Sequence, residues 1–113
     1  MDFATNHEGQ LTIGGVAASQ LARTFQTPLY VYDVGAIRQQ IRAFKRVFEE
    51  ADVSYAVSYA SKAFATIAMY EVAKSEGAHV DVVSGGELYT AQAANFPMAA
   101  VSFHGNNKSN AEL

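Results

Sequence analysis

No cysteine occurs in the 113 residues. That absence removes a disulfide framework, a thiolate nucleophile and a zinc–thiolate site together, and it suits the cytoplasm. No apolar run approaches the ~18 residues of a membrane span. The start, Met1 to Glu8, has neither the basic nor the apolar stretch of a secretion signal. Charge is scarce as well: 17% of residues are charged and the formal balance is −3, which argues against a nucleic-acid partner. Arg38, Arg42, Lys45 and Arg46 fall on the polar side of one predicted helix and read as a solvated face. The remainder is ordinary globular composition, 50% hydrophobic, at a length that fits one small domain. The expectation is a soluble cytoplasmic protein.

Residues 1–10 are polar and read as loose. Leu11-Thr12-Ile13 alternates like a short strand ended by Gly14-Gly15, and Val16 to Phe25 fits a helix with Leu21 and Phe25 on one face. Thr27-Pro28 breaks that helix, since the residue before proline is pushed towards extended backbone. Leu29-Tyr30-Val31-Tyr32 is a strand by β-propensity. Asp33 then caps a helix whose Ile37, Ile41, Phe44 and Phe48 fall at the spacing of one buried stripe.

From residue 54 the pattern alternates strand and helix. The predicted strands are Tyr55–Ser61, Val80–Val83 and Val101–Phe103, with helices over Thr66–Glu76 and Gly86–Ala94 between them. The last two strands are short apolar runs, as expected when both faces of a sheet are covered. This is βαβ grammar, with parallel strands and right-handed crossovers. Three such strands are fewer than the eight of a (β/α)₈ barrel of ~250 residues, and an open doubly wound sheet explains the alternation equally well. Ser109-Asn110-Ala111-Glu112 is a capping box that announces a further helix, which Leu113 alone cannot supply. The chain therefore reads as a fragment of a longer protein.

Lys62 stands where the strand ending at Ser61 runs out and a helix-like segment follows. That is the layout of a Schiff-base lysine at the carboxyl end of a parallel strand, where ligands of α/β folds collect. An ordinary lysine is cationic at neutral pH, and burial at the mouth of an apolar strand would free its amine for attack on a carbonyl. On chemistry alone a surface lysine capping a strand is the commoner case. Asp81 interrupts the strand His79-Val80-Asp81-Val82-Val83 and requires a cation or a donor; Lys62 is its natural partner if the two strands are neighbours. Ser84-Gly85-Gly86-Glu87 is a second capping box, safer as a helix cap than as a phosphate loop. His104-Gly105-Asn106-Asn107-Lys108 is a polar cluster at a third strand end, whereas His7 and His79 read as incidental.

Four of these segments, in order, resemble the diaminopimelate decarboxylases: Thr27-Pro28-Leu29-Tyr30-Val31-Tyr32-Asp33, Tyr59-Ala60-Ser61-Lys62-Ala63-Phe64, Asp81-Val82-Val83-Ser84-Gly85-Gly86-Glu87-Leu88-Tyr89 and Phe103-His104-Gly105-Asn106-Asn107-Lys108-Ser109. The resemblance implies a pyridoxal-phosphate enzyme of the alanine-racemase-like barrel class, seen here as its amino-terminal part. It implies an α/β fold: an incomplete (β/α)₈ TIM-type barrel over residues 33–113, preceded by a strand/helix/strand segment, 1–32, that belongs with a β domain. Lys62 matches the lysine that carries pyridoxal 5'-phosphate, and Asp81 and His104 match positions near the cofactor. The implied reaction removes a carboxylate from meso-2,6-diaminopimelate to give L-lysine, in a homodimer of the full-length enzyme. The fragment alone is expected to be inactive. The family's phosphate-binding glycines, ring-nitrogen carboxylate, substrate arginines and partner-supplied cysteine are expected beyond residue 113.

The competing readings are an ornithine- or arginine-type decarboxylase on the same fold, alanine racemase, a non-catalytic pyridoxal-phosphate-binding barrel, and an inert gene remnant. The Ser84–Leu88 and His104–Lys108 segments favour the diaminopimelate branch. The segment before Asp33 counts against a single-domain barrel.

Overall fold

Alternation in the middle strand of a parallel sheet decides which side chains are hidden and which face the site. The computed structural model describes residues 4–113, and the first three residues of the stretch read as loose lie outside them. The chain divides into two units, Met1–Gln39 and Gln40–Leu113.

The first unit holds a small antiparallel sheet of β1 (Ala4–Thr5), β2 (Leu11–Ile13) and β3 (Val16–Ala17), in that order. Residues 4–10 are therefore structured. The Asn6 side-chain oxygen accepts from the Glu8 and Gln10 amides at 3.0 and 2.9 Å and closes the first turn. Gly14 and Gly15, both at positive φ, form the two-residue turn between Ile13 and Val16. Primed hairpin turns of this kind need residues without a Cβ penalty. The predicted helix from Val16 begins two residues later, as α1 (Ala18–Phe25), because Val16 and Ala17 pair with β2 instead.

Leu29–Tyr32 is not a strand. It runs irregularly with all four side chains exposed, Tyr30 at 90%. Its β-propensity finds no partner strand among the described residues, and propensity without pairing does not make a strand.

Helix α2 (Val34–Glu50) begins where expected: the Ala36 amide donates to Asp33 Oδ1 at 3.0 Å. Its apolar stripe is only partly hidden, however. Ile41 is buried, whereas Phe44 and Phe48 are exposed, Phe48 stacking on Tyr55 with ring centroids 5.6 Å apart. The basic side is not simply solvated either. Arg42 grips Glu76 through Nε and Nη2 at 2.7 and 2.8 Å, and Lys45 Nζ donates to the Glu76 carbonyl at 2.8 Å.

The second unit carries the parallel sheet, β4 (Ser58–Ala60), β5 (His79–Val82) and β6 (Val101–Phe103), in the order β4-β5-β6. Two helices cross between them, α3 (Ile67–Ser75) and α4 (Gly85–Ala93). Both start on the residues the sequence marks: Thr66 Oγ1 accepts from the Met69 amide at 3.2 Å, and Ser84 Oγ from the Glu87 amide at 3.2 Å. The first strand is shorter than expected because residues 54–57 run without sheet structure and Ser61 turns away.

Val80 and Val82 are wholly buried and share the core with Met69, Tyr70, Ala73, Ala91, Ala94 and Phe96. Tyr70 and Phe96 meet edge to face at 6.2 Å. Between the valines, Asp81 lies on the other face, level with Ala60 and Ser102. Strand side chains alternate, so a face covered by helices is backed here by an open one. Ser58, Ala60 and Ser102 on that open face are exposed. The expectation that both faces are covered is thus corrected for the described residues.

Candidate active site

The carboxyl ends of β4, β5 and β6 lie side by side, and each contributes one of the polar residues singled out in the sequence. Beyond β4 the chain enters a single 3₁₀ turn, Ser61–Ala63, with Lys62 at its centre. Asp81 sits in β5 opposite Ala60. His104 follows β6 and extends the ladder, its amide donating to the Val82 carbonyl at 2.8 Å.

Two of the three residues come together. Asp81 Oδ2 lies 3.8 Å from His104 Nδ1, with the Asp81 side chain a third exposed and the imidazole largely exposed. Lys62 is not the partner of Asp81, although their strands are neighbours: no ion pair joins them among the described residues. The lysine is also exposed rather than buried. Its strand ends at Ala60, and Lys62 lies in the turn beyond the β4–β5 register, so adjacency of strands did not become adjacency of charges.

The Lys62 side chain makes no hydrogen bond or ion pair among the described residues, but its backbone is held from both sides. The Phe64 amide closes the turn onto the Ser61 carbonyl at 3.1 Å, and the Tyr59 hydroxyl donates to the Phe64 carbonyl at 2.7 Å. Ser61 is wholly buried; its Oγ stands 2.8 Å from the Asp81 carbonyl oxygen and 2.7 Å from Glu87 Oε1. The other Glu87 oxygen accepts from Ser84 Oγ at 3.0 Å and from the Val83 amide at 3.3 Å. Tyr70 packs under this group with a buried hydroxyl that has no hydrogen-bond acceptor. Burial pushes its ionisation up, the Glu87 charge adds to the shift, and the Ser61 hydroxyl opposes it. Ser61 and the fork at Glu87 were not among the sequence-derived site residues. The S-x-x-E pattern reveals the helix cap, but nothing local shows that the same carboxylate reaches back 26 residues.

At the third strand end, Gly105 (φ 121°) lets the chain double back so that Lys108 Nζ lies 4.7 Å above the Phe103 ring. The start of α4 is not an open phosphate cradle: Glu112 Oε1 approaches the Gly85 amide at 3.4 Å, and Oε2 takes the Ser109 amide at 2.9 Å. Those contacts, the Ser109 ones foremost, hold the Glu112 carboxyl below its ordinary range. The Glu112 half of the Ser109 capping box is therefore in place, while the Glu112 amide donates to the Ser109 backbone carbonyl at 3.1 Å. No group of three potential metal ligands occurs among the described residues, and no helix there is long and apolar enough to cross a membrane.

An exposed lysine just past one parallel strand end, with a carboxylate and an imidazole paired at the two neighbouring ends, fits a site that binds a carbonyl cofactor covalently. Residues 34–113 match the family described as pyridoxal-dependent decarboxylase, pyridoxal binding domain, and the chain belongs to that family.

Among curated relatives the similarity is to diaminopimelate decarboxylases. Those of Bacillus methanolicus and Bacillus subtilis are each 56% identical over 108 residues, 96% of this chain and 25% of theirs. The solved diaminopimelate decarboxylase of M. jannaschii in co-complex with L-lysine superposes with a TM-score of 0.79 at 40% identity, covering 98% of this chain and 26% of that one. The chain thus spans about a quarter of the length of the relatives it matches. The family's domain binds pyridoxal, so the cofactor implied is pyridoxal 5'-phosphate.

Proposed function

We infer that this chain forms the amino-terminal quarter of a diaminopimelate decarboxylase, which removes a carboxylate from meso-2,6-diaminopimelate and yields L-lysine. The observation that carries the reading is that Lys62, Asp81 and His104 each follow or end one of three adjacent parallel strands, Asp81 and His104 3.8 Å apart, in a chain 56% identical to enzymes of that name. The parallel unit is then the first part of a (β/α)₈ barrel whose open sheet face looks inward. Residues 33–113 belong to that barrel, and 1–32 associate with a β domain. A homodimer in the cytoplasm, acting on a small amino acid, completes the assignment. The relatives' names favour this substrate over ornithine or arginine, and the L-lysine complex of the M. jannaschii enzyme is in keeping with it.

Lys62 would hold the cofactor through its ε-amine, which attacks a carbonyl only when unprotonated. The cofactor supplies an electron sink for the pair left behind when carbon dioxide departs. Asp81 orients the His104 ring and places negative charge beside the strand end from which Lys62 emerges. His104, exposed on the same side, offers a flat face and a titratable nitrogen to whatever occupies the mouth.

Borohydride reduction of the full-length enzyme followed by peptide mass mapping tests the assignment. The cofactor should be fixed on Lys62. Its recovery on Lys45, Lys74 or Lys108 would overturn the reading.

A further inference from the structure

We propose that Glu87 is a positioning residue for Lys62, acting through Ser61. This rests on the reading of Lys62 as the cofactor-bearing lysine and adds a device that fixes where its amine is delivered.

The Lys62 side chain is exposed and has no hydrogen bond or ion pair among the described residues, so the Ser61–Ala63 turn governs where it projects. A three-residue 3₁₀ turn has little stability of its own, and no side chain caps its start. Two side chains compensate. Tyr59 ties down the far end at the Phe64 carbonyl. Ser61, the residue just before Lys62, ties down the near end through a hydroxyl buried between the Asp81 carbonyl and the Glu87 carboxylate.

Glu87 is the hub of that contact. One oxygen engages the end of β4 through Ser61, and the other engages the end of β5 through Val83 and Ser84. A single carboxylate therefore brackets two strand ends, and the lysine projects from one of them. Capping α4 requires only the Ser84 side of this arrangement. The oxygen turned towards Ser61 is not needed for the helix, and the Ser61 side chain is wholly buried. Buried polar groups remain only where their partners are met, so the link specifies one geometry of the turn.

The test separates the two halves of the carboxylate. In the full-length enzyme, Ser61→Ala cuts the link while sparing the helix cap, and Ser84→Ala weakens the cap while sparing the link. Glu87→Ala removes the link and the carboxylate's bonds to Val83 and Ser84 while keeping the backbone amide that Ser84 caps. In the cofactor-free protein, amide hydrogen exchange of the 61–64 peptide should quicken about tenfold in Ser61→Ala and Glu87→Ala and stay unchanged in Ser84→Ala. On adding pyridoxal 5'-phosphate, the absorbance of the lysine-linked cofactor should develop about tenfold more slowly in the same two variants. The double variant Ser61→Ala/Glu87→Ala should be no slower than Glu87→Ala, as for residues acting in one chain.

If Ser84→Ala slows linkage as much as Ser61→Ala does, Glu87 is a helix cap only and the proposal falls. Unchanged exchange and linkage in Ser61→Ala also overturn it. Linkage to a lysine other than Lys62 would instead overturn the cofactor assignment, a result read by mass mapping independently of the exchange measurement.

Discussion

Asp81 and His104 face each other at 3.8 Å across neighbouring parallel strands, on the face of the sheet that no described helix covers. Asp81 is held by strand register, and His104, the first residue beyond β6, by the hydrogen bond from its amide to the Val82 carbonyl. Asp81 aligns with Ser102, and His104 lies two residues further along the same strand direction. The carboxylate and the imidazole thus inherit the rigidity of the sheet, which favours a site over an incidental surface contact.

Asp81→Asn keeps the shape of the side chain and removes its charge. In the full-length enzyme it should lower kcat/KM about ten- to a hundredfold. The melting temperature should move little, since the side chain is partly exposed. A parallel loss of folded protein, with normal specific activity in what remains folded, would show the carboxylate to be structural only.

Lys62→Ala should abolish turnover, and Lys62→Arg should fail equally. A guanidinium stays protonated under all working conditions and cannot attack a carbonyl. Steady-state rates together with the absorbance of bound cofactor check both variants. Retained turnover in Lys62→Arg would remove the amine from the mechanism.

Tyr70→Phe deletes a buried hydroxyl that has no acceptor, so stability at neutral pH should hold or rise by up to about 1 kcal/mol. The pH dependence gives a second readout. The folded-state phenol is raised above its ordinary 10.0, chiefly by burial. Below that value both states keep the proton; above it the unfolded chain loses its proton first, and stability falls until the folded phenol also ionises. Urea denaturation between neutral and strongly alkaline pH should show this loss in the parent protein and less of it in Tyr70→Phe.

The 113-residue chain expressed alone should not release carbon dioxide from meso-diaminopimelate. Both outer strands of its three-stranded parallel sheet have an unpaired edge among the described residues. Phe44, Val47 and Phe48 on α2 also stand exposed. Open strand edges and apolar faces promote association with other chains. Light scattering and labelled carbon dioxide release check this; a monodisperse, active fragment would contradict it.

The local grammar of the parallel unit was legible at the Ser84 capping box and in the strand–helix alternation, and the structure adds a cap at the start of each crossover helix. Thr66 and Ser84 supply these caps, and the following strands fall within a residue of their expected places. What misled was propensity without a partner. Leu29–Tyr32 has strand-forming residues and no strand, and Phe44 and Phe48 keep helical spacing on a face that stays exposed. The three site residues stood out as polar groups at strand ends. The pairing of Asp81 with His104 rather than Lys62 did not, because it depends on a turn at Ser61 whose cause, the reach of Glu87, is non-local.

The alternation of β5 also guards against error during folding. If β5 slipped by one residue against its neighbours, the Asp81 carboxylate would enter the space between sheet and helices, and Val80 and Val82 would turn to water. Such a mispaired chain strands a charge and exposes two branched side chains in a single step. Asp81, a candidate site residue, therefore also acts as a proofreading mark for its own strand. Replacing it with an apolar side chain would leave His79 as the one polar residue of β5, with less to tell the correct alignment from the neighbouring one.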